Sequence, residues 1–286
     1  MSLVRRGIHF GSYGAVDDGA AVFRRLAEAA RTAEQAGFDA ISVPDHVHQN
    51  QIAGGPAAPM FEAYTVLGAL ALATSSARLF ALVSPVTLRP PGLLAKAVTS
   101  LDVISGGRAV LGVGAGWDAA EHAAYGIEFP ALGERFDRLD EQLAVCRALF
   151  TDEPAAFHGH FYTVRDAFNS PRPAGGGIPV LVAGGGEKRT LDLVARYADA
   201  CNLPVTDPAE VRRKLDVLSR HCERISRDPA EITRTVFAFD TSDLGALETS
   251  ARAAKGAGAD GMIVVGPADA AQIPAVGRVL GEVFPG

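Results

Sequence analysis

The chain has 286 residues, of which 48% are hydrophobic and 21% charged, with a net charge of −6 at neutral pH. That is ample apolar material for a large core, and an acidic balance without a long Lys/Arg run argues against a nucleic-acid-binding or anionic-membrane surface. The three cysteines, Cys146, Cys201 and Cys222, are far apart and form no C-x-x-C pair, which argues against a disulfide framework or structural zinc and fits a reducing, cytoplasmic setting.

Apolar strand-like runs then alternate with helical patterns along the chain. Gly7 to Phe10 reads as strand one, and Asp17 and Asp18 can cap a helix whose stripe is Val22, Leu26, Ala29, Ala33 and Ala36. Asp39 to Val43 is strand two, followed by a Gly/Pro/Ala loop to Pro59, a helix over Glu62 to Ser75, and strand three over Arg78 to Ser84. Pro90 and Pro91 open a helix carrying Leu94, Ala97, Leu101 and Ile104, and Ala109 to Val113 is strand four. A long amphipathic stripe from Leu132 to Leu149 precedes a small hairpin, Ala156 to Val164, inserted before strand five, Ile178 to Ala183. A helix from Glu187 leads to strand six, Ala198 to Leu203, and a stripe from Val211 to Ile225 leads to strand seven, Thr233 to Phe239. Strand eight is Gly261 to Val265, and the last helix spans Ala268 to Val283. Continuous apolar strands separated by helices imply a parallel sheet, and eight units without a composition break favour one α/β domain over 1–286, a (β/α)8 TIM barrel. No stretch approaches the roughly 20 apolar residues of a membrane span, and Met1 to Arg6 lacks the apolar core of a signal peptide.

In such barrels chemistry lies just beyond the C-terminal strand ends. Those ends read Pro44-Asp45-His46-Val47-His48, Ser84-Pro85-Val86-Thr87, Gly112-Val113-Gly114-Ala115-Gly116-Trp117, Gly184-Gly185-Gly186-Glu187-Lys188-Arg189 and Asn202. A glycine run opening a helix lets free N–H groups approach a phosphate, with Lys188 or Arg189 adding charge; it also fits a plain strand-to-helix turn. The spacing of Gly112, Gly114 and Gly116 is not the dinucleotide fingerprint, because Trp117 stands where the third glycine belongs. His46 and His48 lack the further convergent ligands of a hydrolase metal centre, so no metal is expected, and His46 beside Asp45 suits proton transfer. Glu34 and Glu121 read as solvated helix faces, while Glu62 either caps its helix or points into the site. His158 and His160, in the hairpin, read as surface residues.

Ala36-Gly37-Phe38-Asp39, Asp45-His46, Glu62 to Thr65, Leu101 to Arg108, Leu111 to Trp117, Leu132 to Phe136 and Gly184 to Thr190 together resemble the bacterial luciferase-like monooxygenase superfamily, and within it the actinobacterial F420-dependent oxidoreductases. The segment Ala195 to Leu203 is similar to a mycobacterial-type subgroup. The resemblance covers nearly the whole chain. It implies a luciferase-like barrel with a tricyclic ring over strands two to four: the deazaflavin coenzyme F420, with FMN as the alternative.

By the same resemblance Asp45, His46 and Ser84 lie at the ring edge, and a non-proline cis peptide falls at Ala81–Leu82. Gly114 and Ala115 would line the ring, and Gly184, Gly185, Gly186 and Glu187 would hold the phosphate near Asn202. Phe10, Tyr13, Glu62 and Trp117 would shape the substrate side, with His46 carrying the coupled proton. Sugar-phosphate dehydrogenase relatives carry a catalytic Glu where this chain has Trp117, so that chemistry is not carried over. The implied activity is hydride transfer between F420 and a small organic substrate. The competing readings are an FMN monooxygenase fed by a separate reductase and a non-catalytic cofactor-binding protein. A homodimer is implied through helices of the second and third units, at Leu67, Ala69, Leu70 and Leu72.

Overall fold

The computed structural model describes residues 3–13, 19–267 and 269–286. The expected cap at Asp17 and Asp18, and Ala268 at the expected start of the last helix, lie outside the described residues. In chain order the elements are β1 (Arg6–His9), α1 (Gly19–Gln35), β2 (Ala40–Val43), α2 (Ala63–Ala73), β3 (Arg78–Ala81), β4 (Ser84–Pro85), α3 (Pro91–Ser105) and β5 (Leu111–Gly114). They continue with α4 (Ala119–Ala124), α5 (Leu132–Thr151), β6 (Ala155–His158), β7 (Thr163–Ala167), β8 (Val180–Ala183) and α6 (Thr190–Tyr197). The chain ends with β9 (Ala200–Leu203), α7 (Pro208–Arg224), β10 (Thr233–Ala238), α8 (Leu244–Gly256), β11 (Gly261–Val265) and α9 (Ile273–Val283).

The main sheet runs β3-β2-β1-β11-β10-β9-β8-β5-β4, all parallel. β3 and β4 are two halves of the third barrel strand, so this strand stands at both ends of the order. The seam closes where Leu79 N–H donates to Arg108 O (3.0 Å) and Val110 N–H donates to Leu79 O (3.1 Å). The break between the halves holds a cis peptide at Leu82–Val83, one residue later than expected. Side chains alternate across the strands. Phe80, Val110, Leu181, Ala200, Phe237 and Ile263 fill the barrel interior. Ile8, Ile41, Leu79, Leu111, Val182, Cys201, Val236 and Val264 face the helices. At the seam only a glycine fits: a Cβ on Gly112 would stand 2.0 Å from Ala81 O.

The helices follow local chemistry. Val22, Leu26, Ala29, Ala30 and Ala33 bury one face of α1, and Gly37 at φ +86° turns the chain into β2. Pro91 sits in the first turn of α3 and left-handed Gly106 ends it. The β6–β7 hairpin is antiparallel and anchored to α5, where Glu141 accepts N–H groups of His160 (2.7 Å), Phe161 (2.9 Å) and Tyr162 (2.9 Å). Among the described residues no helix is long and apolar enough to cross a membrane. All three cysteines are free and buried.

Candidate active site at the strand ends

Beyond β2, Asp45 is 2% exposed and its carboxylate is fully engaged. Arg89 grips it with two parallel bonds, Nε to Oδ2 (2.9 Å) and Nη2 to Oδ1 (2.8 Å), and Ser84 Oγ donates to Oδ2 (2.6 Å). Arg89 also donates to Glu62 (2.6 Å) and stacks on Tyr64, whose hydroxyl meets Ser84 Oγ at 2.9 Å. Glu62 caps α2, accepting from Tyr64 N (3.2 Å) and Thr65 N (2.6 Å), so of the two roles open to it the cap is the one it fills. Asp45 and Ser84 therefore act as struts that fix the mouth.

His46 stands next to this network. Its Nδ1 is 2.9 Å from Glu121 Oε2, and its ring lies edge-on to Trp117 with centroids 5.5 Å apart. Glu121 is a correction to the sequence reading, which placed it on a solvated helix face. It is 0% exposed, and its other oxygen accepts the N–H groups of Val47 and His48. The short helix α4, capped by Asp118, carries Glu121 inward beneath the loop after β2. Burial pulls the His46 pKa down, but the Glu121 hydrogen bond and the charges of Glu121, Asp118 and Asp45 outweigh it and raise the pKa above the ordinary value. Burial alone would raise the Glu121 pKa, yet His46 and the two N–H groups hold it low. With Nδ1 committed to Glu121, Nε2 is the atom free to exchange a proton. His46, Asp118 and Glu121 bring ligand-type atoms within 4.8 Å of one another. Both Glu121 oxygens accept hydrogen bonds, and Asp118 accepts Glu121 N–H at 3.0 Å, so these contacts hold the three side chains together.

A second histidine, His9 at the end of β1, was not singled out by the sequence. It is buried, with Nδ1 3.0 Å from Ser42 Oγ and its ring against Phe237. Burial first, and the nearby His46 second, lower its pKa to about 4, so it is neutral at physiological pH. Ser42 is its neighbour in the β1–β2 register, a pairing visible only once the strands are aligned. Asn202 donates to Thr235 Oγ1 (2.9 Å) at the buried end of β9, and its carbonyl accepts Gly184 N–H (3.0 Å). Ala81 and Leu82 lie at the break in the third strand, with Leu82 N–H bonded to Val43 O (2.9 Å). Phe10 and Tyr13 are 7% exposed and belong to the core, where Tyr13 packs on Phe61. The Tyr13 hydroxyl is buried without a hydrogen-bond partner among the described residues. Trp117, by contrast, is 62% exposed at the mouth.

Gly184, Gly185 and Gly186 do not open a helix directly, because a turn over Glu187 to Arg189 precedes α6. Gly184 has φ +131°, and a Cβ on Gly186 would come within 2.8 Å of Thr190 Oγ1. The N–H groups of Gly185, Gly186 and Glu187 have no acceptor among the described residues. The cation at this turn is one the sequence reading did not name: Lys214, buried on α7, donates to Gly185 O at 2.7 Å. Arg189 is drawn away to Asp137 and Phe136, Lys188 is exposed, and Glu187 pairs with Arg213. Free N–H groups, a buried ammonium and backbone that excludes side chains suit a phosphate. At β5, a Cβ on Gly114 would press on Val83 Cγ2 at 2.9 Å, so glycine lets β5 lie close against the break in the third strand.

Residues 6–275 match the luciferase-like monooxygenase family. The chain belongs to that family. It is 34% identical over 198 residues to an uncharacterized protein of Mycobacterium tuberculosis, covering 65% of this chain and 68% of the relative. It is 32% identical over 232 residues to an F420-dependent glucose-6-phosphate dehydrogenase of Kineococcus radiotolerans, covering 79% and 67%. Among solved structures, the coenzyme F420 dependent tetrahydromethanopterin reductase of Methanopyrus kandleri superposes with TM-score 0.81 at 18% identity over 98% of this chain and 99% of that one. An F420-dependent secondary alcohol dehydrogenase, in complex with an F420-acetone adduct, gives TM-score 0.80 at 19% identity over 98% of each chain. An FMN complex of a type II Baeyer-Villiger monooxygenase from Pseudomonas putida gives 0.67 at 19% identity, covering 87% and 71%. As a luciferase-like monooxygenase family member, the chain places His46, Trp117, Gly114 and the Gly184 turn around one mouth, on the same end of one barrel.

Proposed function

We propose that this protein is an F420-dependent oxidoreductase acting on a small organic substrate. The observation that carries the reading is the turn at Gly184 to Glu187, with its free N–H groups and the buried Lys214. The 32% identical relative named as F420-dependent supports F420 as the ligand. When bound, F420 supplies a carbon that gives or takes hydride. The Gly185, Gly186 and Glu187 N–H groups would hold its phosphate, and Ala115 at the end of β5 would face its ring, with Asp45 and His46 after β2. His46, whose hold on a proton Glu121 strengthens, would give the coupled proton from Nε2 and recover it in the reverse direction.

Calorimetric titration with F420 and FMN tests the reading. F420 is expected to bind at least tenfold more tightly. A tenfold preference for FMN would overturn it in favour of a monooxygenase that takes reduced FMN from a separate reductase. We further propose a cytoplasmic homodimer: the free buried cysteines fit a reducing compartment, and α2 and α3 expose Leu72, Leu93 and Ile104. Two of the expected contact residues, Leu67 and Leu70, are 0% exposed and belong to the core, which leaves exposed Leu72 and half-buried Ala69 available to a partner.

A further inference from the structure

We propose that the substrate is a neutral, apolar or aromatic carbonyl compound, or the corresponding alcohol, and not a phosphorylated sugar. The inference rests on the oxidoreductase reading above and sets this chain apart from its glucose-6-phosphate dehydrogenase relatives. Large hydrophobic side chains that would ordinarily be buried stand in the open around the strand ends. Trp117 after β5 is 62% exposed, Phe239 after β10 69%, Tyr125 after α4 52% and Val47 after β2 39%. They are not scattered. Trp117 meets His46 edge-on, Tyr125 lies against His48 with centroids 5.8 Å apart, and Phe239 packs on Phe237, which reaches His9. The aromatic rim thus leads from solvent to both histidines.

The charges at this mouth are already spent. Arg89 is held by Asp45 and Glu62, and the His46 imidazole by Glu121. Lys214 donates to Gly185 O, with Glu210 3.3 Å away, at the glycine turn that takes the cofactor's phosphate, and Lys188 is exposed on that turn. Arg135, which has no carboxylate partner among the described residues, is buried behind Phe129, its guanidinium 3.7 Å from the ring centroid. A phosphate dianion moved onto this rim would lose its hydration without gaining a counter-charge. A flat apolar molecule would bury rings that water now covers. In the reduction, the carbonyl carbon accepts the hydride and the C=O π bond opens. The oxygen takes the His46 Nε2 proton, leaving an alcohol, a neutral imidazole and an oxidised cofactor.

Trp117 is the chain's single tryptophan and therefore reports on this rim. Its emission is followed while F420-loaded protein is titrated with acetophenone, cyclohexanone and glucose 6-phosphate, with calorimetry in parallel. The ketones are expected to saturate at concentrations at least tenfold below glucose 6-phosphate. Phe239→Ala and Tyr125→Ser should each weaken ketone binding about tenfold. Tighter binding of glucose 6-phosphate, or ketone affinity unchanged in both variants, overturns the proposal. The same ketone and sugar titrations on unloaded protein keep the two readings apart. If F420 does not bind, the cofactor assignment fails, while the preference of the rim is still decided by those titrations.

Discussion

Glu121 contributes most to raising the His46 pKa against burial. Replacing that carboxylate, Glu121→Gln, keeps a hydrogen-bonding side chain but removes the negative charge, so burial is then opposed only by the charges of Asp118 and Asp45. The His46 pKa should fall from its raised value toward the ordinary one, as read by NMR titration of the imidazole carbons. Linkage gives the stability consequence. A raised histidine pKa contributes stability that is complete below about pH 6.5 and lost as pH rises through the folded-state value. The lowered Glu121 pKa contributes stability present above the ordinary carboxylate range and lost as pH falls through the folded value. The wild type should thus exceed the variant in melting temperature by most between those limits, with the gap closing on the alkaline side. A flat difference from pH 5 to 9 would show that the pair does not titrate as described.

Gly185→Asp tests the phosphate turn at the same scale. A Cβ there would meet the flexible tip of Lys214 at 3.1 Å, so the new carboxylate can pair with that ammonium and the fold should survive. A like charge at about 4 Å from the phosphate opposes binding by roughly 4 kcal/mol at an effective dielectric of about 20, or about a thousandfold in affinity. A folded variant with unchanged F420 and FMN affinity would remove the phosphate assignment.

At the scale of elements, the backbone approach between the third and fourth barrel strands is set by Gly112. Gly112→Ala should destabilise the barrel by about 1–3 kcal/mol or more, because the added carbon collides with the Ala81 carbonyl and not with a movable side chain. Thermal unfolding measures it, and a variant as stable as wild type would mean that the seam is looser than described. The strands themselves were legible in the sequence because buried parallel strands read as continuous apolar runs. Arg78 to Ser84 read as one strand, and the break between Ala81 and Ser84 divides it, a feature no periodicity announces. The six-residue helix α4 is too short to show a stripe, and with it went the inward path of Glu121. Glu34 misled for a related reason. Burial would raise its pKa, but N–H groups of Ala77, Ser76 and Ser75 and the Ser75 hydroxyl bring it to about 2, making it the anchor of the α2–β3 loop. Arg89, Lys214 and Ser42 reach the site from neighbouring barrel units, and such contacts have no local signature. The strand-end glycines, Asp45 and His46 were legible because barrel chemistry collects at one rim.

For the molecule as a whole, the apolar residues on the outside of α2 and α3 are the surface most in need of cover. Leu72 is 82% exposed, Leu93 68% and Ile104 54%. Light scattering should show a dimer in the wild type, and Leu72→Glu combined with Ile104→Glu should shift it to monomer, since charges at an interface core are strongly disfavoured. A wild-type monomer at micromolar concentration would exclude the interface altogether.

The neighbourhood of β1 and β11 has a kinetic corollary. Ile8 pairs with Val264, and Arg5 donates to Pro285 O across 280 positions of chain. Those contacts enclose the largest loops in the molecule and repay their closure entropy only after the intervening units have collapsed. The circle should therefore be completed late. Weakening the closing pair by Ile263→Val, inside the barrel, should accelerate unfolding in denaturant jumps while leaving the refolding limb nearly unmoved. A truncation within the β8–β9 pair, Leu181→Ala, should slow refolding, because that contact joins strands close in sequence and available early.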